Sequence, residues 1–229
     1  MKTAILGTGV VGQTIAAKLN ILGHHVMIGT RDTTATLAVT KPNAMTGMTF
    51  RDWHMSHTKV ELGTFAQAAE FGDIIINALN GGGTISAFKS CNAADLDGKI
   101  IIDISNPLDF SKGFPPFLMD GLNNTNSLGE ELQKTLPNAK VVKTLNTMTA
   151  MLMTNPAMLQ GNHTNFICGN DADAKAEVIK LLHQFGWSAD NILDLGDITN
   201  ARGTEAILPI WVRIYGALKT GAFNFGIVK

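Results

Sequence analysis

Residues 1–19 read MKTAILGTGVVGQTIAAKL, and this stretch decides the fold class. An apolar run, Lys2–Leu6, leads into a Gly-x-Gly-x-x-Gly pattern, which opens a helical pattern over Val11–Leu22. Such an order is typical of a dinucleotide-binding unit, in which the glycines permit a tight turn and close approach of backbone to a pyrophosphate. Free N–H groups at the helix start also favour an anion. The alternative is a glycine turn without a ligand. The predicted binding residues are Gly7, Thr8, Gly9, Val10, Val11 and Gly12.

The pattern that follows alternates short apolar runs with helical periodicity, which indicates βαβ units around a parallel sheet. The runs are apolar almost throughout, as expected of strands covered on both faces. We predict a Rossmann-type, doubly wound α/β fold with a mostly parallel sheet and a small C-terminal α/β cap. The predicted strands are Lys2–Leu6, His25–Ile28, Val60–Leu62, Ile74–Ala78, Ile100–Ile104, Lys140–Leu145 and Thr164–Cys168; the predicted helices are Val11–Leu22, Thr64–Glu70, Thr84–Ser90, Glu130–Thr135 and Ala172–Phe185.

The chain is predicted to divide near residue 150. Residues 1–150 would form the dinucleotide-binding domain, and residues 151–229 a small C-terminal domain for substrate, packed on the first. The second part shows a short strand at Ile192–Leu195 and a final apolar helix around Glu205–Leu218. Pro107–Leu128 is predicted to be a long loop, and loops of that length are usually functional.

Composition excludes several classes of protein. With 229 residues, of which 45% are hydrophobic and 16% charged, the chain can bury a sizeable core and is not intrinsically disordered. The formal charge of −1 lacks the basic surplus that nucleic-acid binding needs, so a small-molecule partner is favoured. Cys91 and Cys168 encode neither a disulfide scaffold nor a zinc site, which favours a cytoplasmic location. No apolar stretch approaches the roughly 20 residues that span a bilayer.

The end of the second predicted strand indicates which dinucleotide binds. In NAD-binding folds an acidic residue there holds the ribose 2′-hydroxyl. Here the strand runs into Gly29, Thr30 and Arg31, and a guanidinium can pair with a 2′-phosphate by charged hydrogen bonds. NADP is therefore favoured over NAD. Asp32 is either a ribose ligand or, more commonly at such a position, a helix N-cap.

Further motifs follow the glycine pattern along nearly the whole chain: residues 29–32 (GTRD), 77–83 (NALNGGG), 101–108 (IIDISNPL), 141–148 (VVKTLNTM), 201–205 (ARGTE) and 221–226 (GAFNFG). Taken in this order, these motifs resemble the NADP-dependent, coenzyme F420-type oxidoreductase family. The sequence is similar also to the cytosolic reductase domain of the STEAP ferric reductases.

The resemblance implies roles for individual residues. It places Thr8–Val11 on the pyrophosphate, Thr30 and Arg31 on the 2′-phosphate, and Ala78, Leu79 and Gly82 on the ribose and nicotinamide side. It also implies hydride exchange between NADP(H) and a deazaflavin (coenzyme F420) or a flavin-like acceptor, with Phe225 in a segment that closes over that acceptor. Family members carry a further Lys after the Arg; here Ala35 stands in its place, which weakens the expected NADP preference.

Residues that follow the fourth to sixth strands should meet above the nicotinamide, because ligands bind at the carboxyl ends of strands in open α/β sheets. The cofactor side would include Asn80, Gly82 and Asn106. The substrate side would include Pro107, Asn146, Thr147 and Met148. Alternatively, the glycines form a flexible turn, Asn106-Pro107 only ends a strand, and the methionines fill the core.

No catalytic triad or carboxylate pair is evident. Direct hydride transfer does not require such catalytic side chains, because it depends on positioning of the two rings. Lys143, inside an apolar strand, is more typical of a hydrogen-bonded support than of a proton donor. His54 and His57 lack a third metal ligand. Arg202 and Glu205, at i,i+3 spacing, could pair with each other.

Aromatic residues could form the wall for a second flat ring. The candidates are Phe114, Phe117, Trp187, Trp211 and Phe225, some of which could instead be core or dimer contacts. The apolar C-terminal helix makes a homodimer plausible. A β-hydroxyacid dehydrogenase would need a longer second domain. The remaining alternative is a non-catalytic NADP(H)-binding redox sensor, for which a filled nicotinamide pocket would be typical.

Overall fold

The computed structural model describes residues 1–228, which build one central eight-stranded sheet. The strands of this sheet are β1 Lys2–Leu6, β2 His25–Thr30, β3 Val60–Thr64, β4 Ile74–Asn77, β5 Ile100–Asp103, β8 Lys140–Thr144, β9 Asn165–Gly169 and β10 Ile192–Asp194; a separate two-stranded sheet pairs β6 Leu108–Asp109 with β7 Phe117–Leu118. The order of strands in the large sheet is β10-β9-β8-β5-β4-β1-β2-β3.

The chain leaves β1 toward β2 and β3, then returns to place β4 and β5 on the other side of β1. This reversal of direction defines the doubly wound fold and opens a crevice at the carboxyl ends of β1 and β4. From β3 to β8 all neighbours are parallel, with Leu6 level with Gly29 and Asn77 level with Asp103. The predicted Rossmann-type fold is confirmed.

β9 runs antiparallel to β8, and β10 runs parallel to β9. Both strands belong to the predicted C-terminal part, yet they extend the same sheet. Because β9 is reversed, its first residues lie beside the carboxyl end of β8: Asn165 Oδ1 accepts hydrogen bonds from Leu145 N at 3.1 Å and Thr144 Oγ1 at 3.2 Å. The C-terminal part therefore contributes to the edge where the predicted site residues lie.

Helices cover both faces of the sheet. The helices are α1 Val10–Ile21, α2 Thr33–Ala38, α3 Phe50–Ser56, α4 Phe65–Phe71, α5 Gly81–Lys89, α6 Leu128–Thr135, α7 Ala150–Thr154, α8 Ala172–Phe185, α9 Ala201–Ala206 and α10 Leu208–Leu218. The core on one face includes Ile15, Trp53 and Leu182, from α1, α3 and α8. The core on the other includes Ala68, Phe88 and Ala201, from α4, α5 and α9. Burial on both faces explains the continuous apolar runs.

The structure differs from the sequence prediction in several places. The helices α2, α3 and α7 were not predicted. Residues Gly81–Gly83, predicted as a turn, form the first turn of α5, because the Asn80 side chain caps that helix by accepting from Gly82 N at 3.1 Å. The predicted final helix is two helices, α9 and α10, with Pro209 in the first turn of the second. The predicted loop Pro107–Leu128 contains the β6–β7 pair.

Candidate functional site

The glycine turn has the geometry that its sequence predicts. Gly7 has φ +123°, and a Cβ there would lie 2.6 Å from the carbonyl oxygen of Ala78. A Cβ on Gly12 would overlap the carbonyl oxygen of Gly7, so both positions require glycine. Gly9 is exposed, and an added Cβ would meet nothing within 4 Å. Gly7 and Gly12 pack backbone against backbone, whereas Gly9 leaves open space.

The N-terminus of α1 opens onto that space. Gly9 is its N-cap, and no side chain caps the free N–H groups. Gln13 is not a cap either, since its Nε2 donates to Thr8 O at 2.8 Å. Free donors at the start of a 12-residue helix, with open space above them, fit an anion such as a pyrophosphate.

The end of β2 presents a hydroxyl and a cation. Thr30 is buried, and its Oγ1 lies 2.8 Å from Thr36 Oγ1. Arg31 is exposed. Asp32 accepts from Ala35 N at 2.9 Å as the N-cap of α2, which supports the N-cap interpretation over a ribose ligand. Asp32, the first acidic residue after β2, is therefore already engaged in a helix cap.

A cavity of about 170 Å³ lies where the carboxyl ends of β1, β4 and β5 meet. Five of its lining residues were predicted from the sequence: Val11, Ala78, Leu79, Asn80 and Asn106. The other lining residues, Ile104, Ser105, Leu108 and Phe110, carry no signal beyond lying beside a predicted strand end or in the long loop. None of the lining side chains is a carboxylate, an imidazole, an amine or a phenol.

The first turn of α5 packs against the wall of this cavity. A Cβ on Gly81 would overlap the carbonyl oxygen of Asn106, so the helix and the strand end touch through backbone. Gly82 is exposed, and the nearest atom to a Cβ added there would be Asn80 Oδ1 at 3.8 Å. Gly81 therefore fixes packing, whereas Gly82 lines a separate cavity toward Met119 and Leu128.

Asn106 and Asn146 form an amide pair across the ends of β5 and β8. Asn106 Nδ2 donates to Asn146 O at 2.8 Å, and Asn146 Nδ2 donates to Asn106 Oδ1 at 2.9 Å. Asn146 Nδ2 also donates to Thr204 O at 3.0 Å. Asn106 lines the cavity, whereas Asn146 is 2% exposed behind it.

The other predicted substrate-side residues lie deeper. Pro107 and Thr147 are buried, and no hydrogen-bond partner of Thr147 Oγ1 occurs within residues 1–228. Met148 packs in the hydrophobic core with Leu145 and Leu152. Its side chain therefore behaves as core filler, the alternative that the sequence left open.

Lys143 lies beneath the site in a buried charged cluster. Its Nζ lies 2.9 Å from Asp103 Oδ2, 2.7 Å from Glu205 Oε1 and 2.6 Å from Ser105 O. Burial, the largest influence, lowers the pKa of Lys143, but Asp103 and Glu205 together raise it above its ordinary value. Lys143 is thus a charged support that holds Ser105 beside the cavity, not a proton donor.

Arg202 and Glu205 do not pair with each other, contrary to one of the sequence expectations. Arg202 makes a two-pronged contact with Glu130, with Nε to Oε2 at 2.8 Å. Glu205 accepts from the first backbone N–H groups of α6, those of Leu128 at 2.8 Å and Gly129 at 3.0 Å. The two side chains instead anchor α9 to α6 and to the sheet.

Aromatic rings from three segments of the chain form a row. Trp211 stacks on Tyr215 at 5.6 Å and on Phe223 at 5.2 Å between centroids, while Phe114 meets Tyr215 edge-on and Phe225 meets Phe223 edge-on. Phe225 O accepts from Thr164 N at 2.8 Å, next to the start of β9. The row joins the long loop, α10 and the C-terminal segment.

Two of the predicted wall residues are not part of this row. Trp187 is 2% exposed; it packs in the core and donates to Met153 O at 3.0 Å. Phe117 is exposed, and Lys112 lies over its ring. Core burial of Trp187 and solvent exposure of Phe117 both depend on chain folding that residue type alone does not encode.

Other candidate chemistry is absent from the part of the chain that the structure describes. His54 and His57 bond to backbone oxygens of Val60 and Trp53, and no cluster of metal-ligating side chains occurs in residues 1–228. Both cysteines are free, and burial raises the pKa of Cys91 to about 11 and of Cys168 to about 12. No helix among these residues is long and apolar enough to cross a membrane.

Comparison with known proteins identifies the family. Residues 2–107 match the family described as NADP oxidoreductase, coenzyme F420-dependent. A crystal structure from Arthrobacter sp. FB24, of a protein provisionally named an F420-dependent NADP reductase, is 50% identical over 100% of both chains with a TM-score of 0.93. The chain belongs to this family of NADP oxidoreductases.

Two curated relatives agree with that assignment. The F420-dependent NADP reductase of Methanocaldococcus jannaschii is 33% identical over 63% of this chain and 63% of its own length. The metalloreductase STEAP3 of Rattus norvegicus is 28% identical over 92% of this chain. The chain spans only 38% of the length of that second relative. The predicted resemblance to both families is confirmed.

Proposed function

We propose that this protein transfers hydride between NADP(H) and a deazaflavin, such as coenzyme F420, or a flavin-like acceptor. The observation that carries the proposal is the continuity of the uncapped N-terminus of α1 with the cavity at the ends of β1, β4 and β5, since Val11 belongs to both. An anion on the helix would leave the rest of a dinucleotide over the cavity.

The cofactor-binding residues follow from this placement. Gly7, Gly9, Gly12 and the backbone of Thr8–Val11 would hold the pyrophosphate, with Thr30 and Arg31 at the 2′-phosphate. Ala78, Leu79, Asn80, Gly82 and Asn106 would surround the ribose and the nicotinamide. Arg31 is exposed and Asp32 is occupied as an N-cap, which supports NADP over NAD.

The bound nicotinamide would supply or receive the hydride, and the protein would position the second ring against it. The cavity lining carries no titratable side chain that could protonate a carbonyl substrate. Hydride exchange between two rings depends instead on positioning and exclusion of water. The lining therefore supports a ring acceptor over a ketone or an aldehyde.

The acceptor would lie against the aromatic row. Phe114, Trp211 and Phe225 come from three separate segments that are joined by contacts between aromatic rings. Phe225 also lies beside the start of β9. Residues Pro107, Asn146, Thr147 and Met148 would support this side from below, with Met148 contributing backbone only. On this proposal residues 1–150 bind the nucleotide and contribute Phe114 to the acceptor side, and residues 151–229 add Trp211 and Phe225 to it.

Anaerobic stopped-flow oxidation of NADPH tests the proposal. Deazaflavin, FMN, FAD and a ferric chelate are offered separately to the purified protein. We expect fast oxidation with the deazaflavin or with a flavin. Tight NADPH binding without turnover of any acceptor would contradict it and favour the redox sensor. Light scattering on the same sample tests the proposed homodimer.

A further inference from the structure

The amide pair of Asn106 and Asn146 has its orientation fixed from outside the cavity. Asn146 Nδ2 uses both hydrogens, one toward Thr204 O and one toward Asn106 Oδ1. If the Asn146 amide were flipped, its oxygen would face two acceptors. The carbonyl of Thr204 therefore dictates which way the Asn146 amide points.

Asn146 dictates the orientation of Asn106 in turn. Asn106 Oδ1 accepts from Asn146 Nδ2, and Asn106 Nδ2 donates to Asn146 O. If the Asn106 amide were flipped, its Nδ2 would face the Nδ2 of Asn146 and its Oδ1 would face the backbone oxygen of Asn146, so neither hydrogen bond could form. Asn106 thus has one rotamer and one amide orientation, although it lies on a cavity wall where an isolated asparagine could turn freely.

One donor remains unused in this arrangement. Within the described residues, the Nδ2 of Asn106 donates a single hydrogen bond, to Asn146 O, so its second hydrogen has no partner. Asn106 belongs to the cavity lining, beside Ala78 and Ser105. The structure thus presents a donor of fixed direction in a cavity with no titratable side chain.

We propose that the second Nδ2 hydrogen of Asn106 recognises the carboxamide oxygen of the nicotinamide, and that Asn146 is the positioning residue that aims it. The inference rests on the proposed function, which places the nicotinamide in this cavity. The amide pair orients the ring so that one face is presented toward the acceptor side. Because the Thr204 carbonyl belongs to α9, this helix sets the orientation of the nicotinamide contact.

Cofactor analogues test this contact by binding alone. The thionicotinamide analogue of NADP⁺ replaces the carboxamide oxygen with sulfur, a weaker acceptor, whereas the 3-acetylpyridine analogue keeps the oxygen and loses the NH₂ group. Titration calorimetry on the purified protein should give a Kd for the thio analogue roughly tenfold above that for NADP⁺. The acetylpyridine analogue should bind within about twofold of NADP⁺.

Variants then identify the residues. Asn106→Asp keeps the acceptor toward Asn146 but removes the donor, so the thio-to-NADP⁺ ratio of Kd values should fall to about one. Asn146→Asp can no longer donate to Asn106 and should lower the ratio likewise. Asn165→Ala is the matched control, a buried asparagine at the same edge that contacts Thr144 and Leu145 rather than Asn106. It should lower stability yet keep the wild-type ratio.

The possible results separate the two proposals. A ratio near one in the wild type, or an unchanged ratio in Asn106→Asp, would overturn the carboxamide contact while leaving NADP binding intact. Weak binding of the acetylpyridine analogue would show that Asn106 accepts from the NH₂ group, which also overturns it. If Asn146→Asp does not fold, Asn106→Asp at the cavity surface decides alone. No measurable binding of NADP⁺ would overturn the proposed function, and this inference with it.

Discussion

At the scale of single residues, two cations have different environments and different expected roles. Arg31 is exposed at the end of β2, where a charged hydrogen bond to a 2′-phosphate would strengthen binding of NADP(H) only. Lys143 is the opposite case, because its charge is enclosed by Asp103 and Glu205 and touches no open cavity. The sequence indicated a support role for Lys143 because that cation interrupts an apolar strand, and the structure agrees. The role of Arg31, which follows a strand end, stays a prediction.

Arg31→Ala should raise the KM for NADPH by roughly tenfold or more and leave the KM for NADH nearly unchanged. The physical reason is the loss of a charge-assisted contact to a group that NADH lacks, worth about 1.5–3 kcal/mol. Steady-state kinetics with both cofactors measures this. Arg213→Ala, on an exposed face of α10, is the control and should change neither KM. An equal rise for both cofactors would contradict the assignment.

Lys143→Met should lower the free energy of unfolding by about 3–5 kcal/mol, because it leaves two buried carboxylates without their cation. Urea denaturation at neutral pH measures the change. Lys180→Met, which removes a surface pair with Glu177, should cost less than about 1 kcal/mol. A comparable small loss for Lys143→Met would mean that the buried cluster adds nothing to stability.

At the scale of elements, capping sets where the helices begin. Ser127 and Glu130 bond to each other at the start of α6, with Ser127 Oγ accepting from Glu130 N at 3.1 Å. Arg202 then reaches Glu130 from α9. The local cap is readable from the Ser-x-x-Glu spacing, but the Arg202 contact is not, because it joins residues 72 positions apart.

Hydrogen bonding from Arg202 holds the pKa of Glu130 below its ordinary value. A depressed carboxyl pKa contributes stability that is present above the unfolded value of about 4.5 and is lost as the pH falls. Arg202→Met should therefore lower the melting temperature at pH 7, and its difference from the wild type should shrink below pH 4.5. Thermal unfolding across pH 3–7 measures this. A difference independent of pH would point to lost packing of α9 alone.

The elements that the sequence did not predict are the β6–β7 pair and three short helices. The helices α2, α3 and α7 have five to seven residues each and lie outside the regular strand–helix alternation that predicted the equally short α4. Strands were predicted more closely, since burial on both faces leaves an unbroken apolar run. The site residues at strand ends followed from topology, whereas the aromatic row depends on how α10 and the C-terminal segment fold back.

At the scale of the whole molecule, the sheet joins the two predicted parts. β8 and β9 pair across the boundary near residue 150, and the core on one face combines Ile15 and Ile28 with Leu182 and Trp187. A nucleotide part and an acceptor part can therefore differ in function while sharing one core. The division itself remains a proposal about binding roles.

A shared core predicts a single cooperative unfolding transition. Far-UV circular dichroism and tryptophan fluorescence should give coincident denaturation curves, because Trp53 and Trp187 lie in opposite parts but in the same core cluster. Saturating NADP⁺ should shift both curves together to higher denaturant concentration. Two separated transitions would show instead that residues 1–150 and 151–229 unfold independently.

Because Lys143 is enclosed, the rate at which a reagent labels its amine measures how often the structure opens. Its amine is inaccessible and held protonated between carboxylates, so an acylating reagent should modify surface lysines such as Lys180 quickly and Lys143 only when the sheet end opens. The backbone carbonyl of Ser105, beside the cavity, accepts a hydrogen bond from that amine. The labelling rate at Lys143, measured by mass spectrometry, therefore reports how often this buried cluster beneath the cavity opens. A bound nucleotide that stabilises this cluster would lower the labelling rate at Lys143.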